Sequence, residues 1–309
     1  MGKAGILAVV IPIPAILCIL SCGGSSAPAA GTPSFDSARA FGYLERQVSF
    51  GPRVPGTKAH DDALAWITAT LRELTPQIGA QPFRDVFSGS EADMQNIMVS
   101  FYPENGRRIL LCAHWDSRPH ADQDPDPAKR EEAVPGANDG ASGVAVLLEV
   151  AHALKQGETL RKKPPVGVDI VFFDGEDGGS DGKEETWLLG SRYFARIMPS
   201  SFKPSYAVLL DMIGDRDLSL SREKNSREGA PDVWNKIMEQ CRKLNIAVDS
   251  SEISILDDHV PLIERGIPAV DLIDFNYPFW HTVSDTPDKC SAASLGKIGT
   301  LLLNLIYEE

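Results

Sequence analysis

The chain has 309 residues, 43% of them hydrophobic and 24% charged, enough to bury a full core as one large domain or two small ones. Its net charge is −13, and Arg161-Lys162-Lys163 is the one basic tract that stands out, which excludes nucleic acid as a partner. A surplus of carboxylates is compatible with metal sites, although most acidic side chains in any protein are simply solvated.

At the N-terminus, Lys3 precedes an apolar stretch over residues 6–20 that Pro12 and Pro14 interrupt. It is too short and too rich in proline for a transmembrane helix. The stretch ends Ile19-Leu20-Ser21-Cys22, which resembles the lipobox of bacterial lipoproteins, where cleavage leaves a cysteine to be lipidated. Residues 1–22 therefore read as a lipoprotein-type signal peptide and 23–33, rich in Gly, Ser, Ala and Pro, as a flexible tether. With no internal repeat and no second linker, residues 34–309 read as a single domain. The expectation is an exported protein, anchored to a membrane through Cys22 and facing the periplasm or the cell exterior. Three cysteines remain, Cys112, Cys241 and Cys290, with no CxxC spacing from which to read a disulfide framework. Cys112 and Cys241 sit among apolar residues and read as inert core thiols.

Leu64, Ile67, Leu71 and Leu74 recur at helical spacing over residues 61–74, after an irregular loop Gly51-Pro52-Arg53-Val54-Pro55-Gly56. Residues 108–113 are a short, nearly continuous apolar run, as expected of a strand covered on both faces. Next comes a small-residue loop over residues 136–143 that carries Asp139 and runs straight into the apolar segment 144–151, which reads as a buried helix. Residues 166–173, 206–210 and 268–273 are three further strands. Between and after them, Val233, Ile237, Cys241 and Leu244 share one helical face, as do Leu295, Ile298, Leu302 and Leu305. Alternating strands and helices predict an α/β fold, a three-layer sandwich whose central mixed, largely parallel sheet is flanked by helices. His60 and His120 fall in loops and His152 in a helix, and all three read as structural or solvent-exposed.

In such folds ligands bind outside the carboxyl ends of the strands. There the sequence places His114-Trp115-Asp116, Asp174-Gly175-Glu176-Asp177, Asp211 and, after a short loop, Trp280-His281. Taken singly, a strand-end Asp is most often a cap or turn residue and a buried His a satisfied core group. Taken together with Asp139, they bring His114, Glu176, Asp177, Asp211 and His281 to one edge. Like charges so close need a compensating cation. Carboxylates with imidazole suit zinc, which in catalytic sites keeps three protein ligands and an open position.

Six motifs occur in order: His114-Trp115-Asp116-Ser117, Gly136-Ala137-Asn138-Asp139, Phe172-Phe173-Asp174-Gly175-Glu176-Asp177, Leu210-Asp211-Met212-Ile213-Gly214, Asp257-Asp258-His259 and Trp280-His281-Thr282. As a set they resemble the zinc-dependent glutaminyl cyclases, which share their fold with the M28 aminopeptidases. The resemblance implies one zinc per chain on Asp139, Asp177 and His281. It also implies Glu176 as general acid/base, with Asp211 and Asp257 in a hydrogen-bonded network beside it. Trp280 and His114 would belong to the substrate pocket, and a cis peptide would join Asp139 to Gly140. The implied substrates are peptides or proteins with N-terminal glutamine, cyclised to pyroglutamate with release of ammonia; the sequence leaves the oligomeric state open, with a monomer favoured.

A di-zinc aminopeptidase is the alternative, since its second metal would use His114, Asp211 and a bridging Asp139, all present. A non-catalytic metal-binding lipoprotein is a third. Trp280 directly before His281 and the doubled Asp257-Asp258 favour the cyclase. Three departures from the family pattern stand out: Asp177 where many members have Glu, no cysteine in the helix after Asp139, and no tryptophan in the acidic insert over residues 178–185.

Overall fold

The computed structural model describes residues 1–2, 33–180 and 182–308. Cys22 lies outside them, as do the apolar stretch of the signal segment and residues 23–32 of the tether. Among the described residues no helix is long and apolar enough to cross a membrane.

Asp36 caps α1 (Ser37–Val48) by accepting from the Arg39 amide at 3.0 Å, and Thr57 caps α2 (Lys58–Leu74) through the His60 amide. A hairpin follows, β1 (Ile78–Phe87) and β2 (Ser90–Phe101), turned at Ser88-Gly89 with both residues at positive φ. Then come β3 (Arg108–His114), α3 (Ala141–Thr159), β4 (Gly167–Phe173), α4 (Leu189–Ile197) and β5 (Ala207–Asp211). The chain continues through β6 (Ser219–Glu223), α5 (Lys224–Gly229), α6 (Pro231–Leu244), β7 (Ala247–Ile253), α7 (His259–Glu264), β8 (Ala269–Ile273) and α8 (Ala292–Tyr307).

The main sheet runs β1-β2-β4-β3-β5-β8. Its β1–β2 and β2–β4 pairs are antiparallel, and its β4–β3, β3–β5 and β5–β8 pairs are parallel. This is the mixed, largely parallel sheet the sequence predicts. Strand side chains alternate between faces, and the two cores follow that alternation. Ile109, Leu111 and Ala113 join the core with α1, α2, α3, α6 and α8 residues, whereas Leu110 and Cys112 join Phe194 of α4 and Leu262 of α7. Helices thus cover both faces, and the parallel strands bring their carboxyl ends to one edge.

The sequence reading named none of α1, β1, β2, α4, β6, α5, β7 and α7, and it set His60 in a loop. Pro82 in β1 removes a donor, yet β1 is an edge strand and tolerates it. Strand β7, mostly exposed and polar, pairs only with β6. His60 lies in the first turn of α2, not in a loop, and is buried. Its ring stacks on Trp115 at 4.2 Å and its Nε2 sits 2.9 Å from Asp174 Oδ1. The cysteines Cys112, Cys241 and Cys290 are buried and free, the first two as their apolar surroundings predict.

Candidate active site

The loop before α3 is held from three sides. Asp285 accepts from the amides of Asn138 at 2.8 Å and Asp139 at 3.2 Å, and also from the Tyr277 hydroxyl at 2.7 Å. The buried guanidinium of Arg53 donates to the carbonyls of Trp115, Pro135 and Gly136 at 2.7–2.9 Å. Asp139–Gly140 is cis, and a Cβ on Gly140 would strike the His114 ring at 2.5 Å. Only glycine lets the loop approach that imidazole so closely.

Asp139, Asp177 and His281 are 4%, 1% and 3% exposed and can each offer a ligand atom within 4.8 Å of the others. His281 Nε2 lies 3.3 Å from Asp177 Oδ1 and 3.7 Å from Asp139 Oδ2. His281 holds a φ of 54°, a left-handed conformation uncommon outside glycine and concentrated at functional sites. Asp177 Oδ2 is buried without a hydrogen-bond partner. One imidazole and two carboxylates, one of them with an orphaned buried oxygen, are a donor set that fits zinc. His114, Asp139 and Asp211 form a second such group, with His114 Nε2 3.1 Å from Asp139 Oδ1 and 3.2 Å from Asp211 Oδ1. Asp139 is shared, so the ligand inventory admits either one or two metals.

A cavity of about 280 Å³ opens over these groups, lined among others by Glu176, Asp211, Asp257, Trp187 and Trp280. Burial pushes the Glu176 carboxyl well above its ordinary value, and the adjacent Asp177 adds to the push. Burial likewise raises Asp211, and together with Asp211 it raises Asp257 to about 7. At His281 burial pulls the imidazole down, but Asp177 and Asp122 outweigh it and take it to about 9. Burial is the leading cause at the three carboxyls and neighbouring carboxylates reinforce it, whereas at His281 those carboxylates alone raise the imidazole. The arrangement can hold a divalent cation at one end of the cavity and exchange protons through carboxyls at the other.

The structure brings together Asp139, Glu176, Asp177, Asp211, Asp257, Trp280 and His281. His114 departs from its expected place: it is 1% exposed and sits beneath the cavity behind Asp139 and Asp211 rather than in the pocket wall. Arg118 and Asp122 went unread in the sequence. Arg118 Nη1 donates to Asp177 Oδ1 at 3.2 Å, and its Nε donates to Asp122 Oδ1 at 2.5 Å. Asp122 in turn faces His281 Nδ1 at 3.4 Å. Trp187, just past the insert that lacks a tryptophan, supplies the wall there. Its ring lies parallel to His281 at 6.4 Å, under the Arg118 guanidinium at 4.6 Å. A third buried group, Asp257, His259 and Asp271, lies deeper, where His259 Nε2 faces Glu223 Oε2 at 3.2 Å.

Comparison with known proteins places this arrangement. A match to peptidase family M28 covers residues 96–306, from β2 to α8. The chain belongs to that family. Among its M28-fold neighbours, the crystal structure of Porphyromonas gingivalis glutaminyl cyclase is 36% identical. It superposes with a TM-score of 0.83, covering 89% of this chain and 98% of that one. A Zn-dependent exopeptidase from Parabacteroides distasonis is 33% identical with a TM-score of 0.84, over 90% of this chain and all of the other. The Bos taurus glutaminyl-peptide cyclotransferase is 28% identical over 244 residues, 69% of this chain and 65% of the bovine protein. The match therefore spans a little under two thirds of that relative's length.

Proposed function

We propose that this chain is a zinc-dependent glutaminyl cyclase, converting the N-terminal glutamine of peptides and proteins to pyroglutamate with release of ammonia. The observation that carries this reading is the single cavity in which Glu176, Asp211 and Asp257 stand beside Asp139, Asp177 and His281, walled by Trp187 and Trp280. At about 280 Å³ it is at the small end of ligand pockets, sized for one terminal residue rather than a stretch of peptide. Its likeness to the Porphyromonas cyclase over nearly the whole of both chains supports the same activity.

In this reaction the substrate's α-amine attacks its own γ-carboxamide carbon. A nitrogen–carbon bond forms, the bond to the amide nitrogen breaks, and that nitrogen leaves as ammonia. The nucleophile is tethered to its target, so the cavity's first task is to fold the glutamine side chain back on its amine. Trp280 and Trp187 offer the apolar walls for that fold. Glu176, buried and with a raised pKa, accepts the amine proton and returns it to the departing nitrogen. Asp211 and Asp257 hold the two nitrogens and the proton in transit. One zinc held by Asp139, Asp177 and His281 would supply Lewis-acid polarisation of the carboxamide oxygen.

The shared position of Asp139 and the likeness to the Parabacteroides exopeptidase favour a second reading, a di-zinc aminopeptidase. One incubation separates the two. A glutamine-initiated peptide should lose ammonia and keep its length, whereas release of a free N-terminal amino acid would support the peptidase. Residues 34–309 form one catalytic domain in this proposal, exported and tethered to a membrane through a lipidated Cys22. Mass analysis of the mature N-terminus tests the anchor, and an unmodified chain beginning elsewhere would remove it.

A further inference from the structure

A second cavity of about 620 Å³ adjoins the active-site cavity. The two are divided by one ridge, since Ser254, Ile255 and Leu256 line both. Their opposite wall is continuous as well. Trp187 lines the inner cavity and Glu184, earlier in the same short turn, lines the outer one. That turn is fixed by two hydrogen bonds to the Glu184 carbonyl, from the Trp187 amide at 3.3 Å and from Arg192 Nη2 at 3.2 Å. Ile255, Leu256, Val260 and Ile263 give the outer cavity an apolar floor, and Leu256 on the ridge remains 38% exposed. Among the described residues its lining carries three carboxylates, Glu184, Glu228 and Glu264, and no lysine or arginine.

A peptide whose first residue fills the inner cavity must lead its chain out past that ridge. An extended chain advances about 3.3 Å per residue, so the next few residues cross Leu256 and reach the outer cavity. Single surface glutamates contribute little to binding. Three lining one concave, partly apolar cavity reinforce one another and focus their field on whatever occupies it.

We propose that the outer cavity receives the substrate residues downstream of the N-terminal glutamine and selects cationic side chains there. The inference rests on the cyclisation reading above. It is tested with short peptides that begin with glutamine and carry one lysine or one glutamate, scanned over the following positions, with glutamine amide as a substrate too small to reach the outer cavity. At low salt, lysine at one or more positions should raise kcat/KM over glutamate by about tenfold, and added salt should shrink the gap. The E228Q/E264Q double variant, altered only at exposed surface positions, should bring the two within about twofold and leave glutamine amide turnover unchanged. A cyclase indifferent to charge at every position would overturn the inference alone, as would a lysine preference that survives the double substitution. Failure to cyclise any substrate, glutamine amide included, would overturn the activity and the inference together.

Discussion

Arg118 and Asp122 tie together two of the proposed zinc ligands, Asp177 and His281. Asp122 faces His281 Nδ1 at 3.4 Å and is held in turn by Arg118, which also holds Asp177. Carboxylates behind a ligating histidine fix its orientation and basicity, and their loss typically costs ten- to a hundredfold in metal affinity. Asp122→Asn should therefore surrender zinc to a chelator at roughly ten- to a hundredfold lower chelator strength, with the fold intact by circular dichroism. Glu176 should behave in the opposite way. Glu176→Gln is expected to keep its zinc and lose roughly 10²- to 10⁴-fold in kcat, measured as ammonia release from a glutamine peptide. Full activity in a folded, zinc-loaded Glu176→Gln protein would end its assignment as acid/base. The cluster of acidic and imidazole side chains was legible in the sequence because several apolar strands of one sheet each run into an Asp, Glu or His, and capping alone does not demand that at every strand end; the proposed ligand trio within it came from the resemblance to the cyclases. Arg118 and Asp285 were not legible, because their partners lie 59 and 147 residues away and nothing local marks either one.

At the scale of elements, the site depends on how closely α3 settles against the sheet. A Cβ on Gly143, in the first turn of α3, would overlap the Leu210 carbonyl oxygen and meet Ala113 Cβ at 2.9 Å. Gly143→Ala should thus force α3 outward and cost about 1–3 kcal/mol of stability, against the slight gain alanine normally brings to a helix. Urea unfolding decides the sign, and a stabilised variant would show that the strand end yields easily. The parallel strands and the buried helix were readable because continuous apolar runs and small-residue turns leave few alternatives. Strands β1 and β7 were not, since an edge strand bearing Pro82 and a strand mostly open to solvent carry no apolar pattern of their own. Their pairing partners define them. His60 was misplaced for a related reason: the cap that starts α2 is Thr57, ahead of the first apolar residue that betrays the helix.

Across the whole molecule, the −13 net charge is uneven in its effect on stability. Glu223 is fully buried, and burial alone would raise its carboxyl, but His259 and Ser226 outweigh that and hold it at about 2 against an ordinary 4.5. A carboxyl depressed in the fold but ordinary in the unfolded chain adds stability above the unfolded value and loses it as pH falls toward the folded one. Urea midpoints should decline as pH drops from 4.5 toward 2, and Glu223→Gln should be less stable at neutral pH and flatter across that window. A wild-type profile as flat as the variant's would remove Glu223 from the account. The two indoles around His281 carry a further consequence. Trp280 stacks on its imidazole at 3.8 Å and Trp187 lies parallel to it at 6.4 Å, so two of the five tryptophans border one proposed ligand. The protein consequently contains its own optical reporter: titrating metal into the stripped chain should change tryptophan emission, and replacing Trp280 and Trp187 with phenylalanine should silence most of that signal.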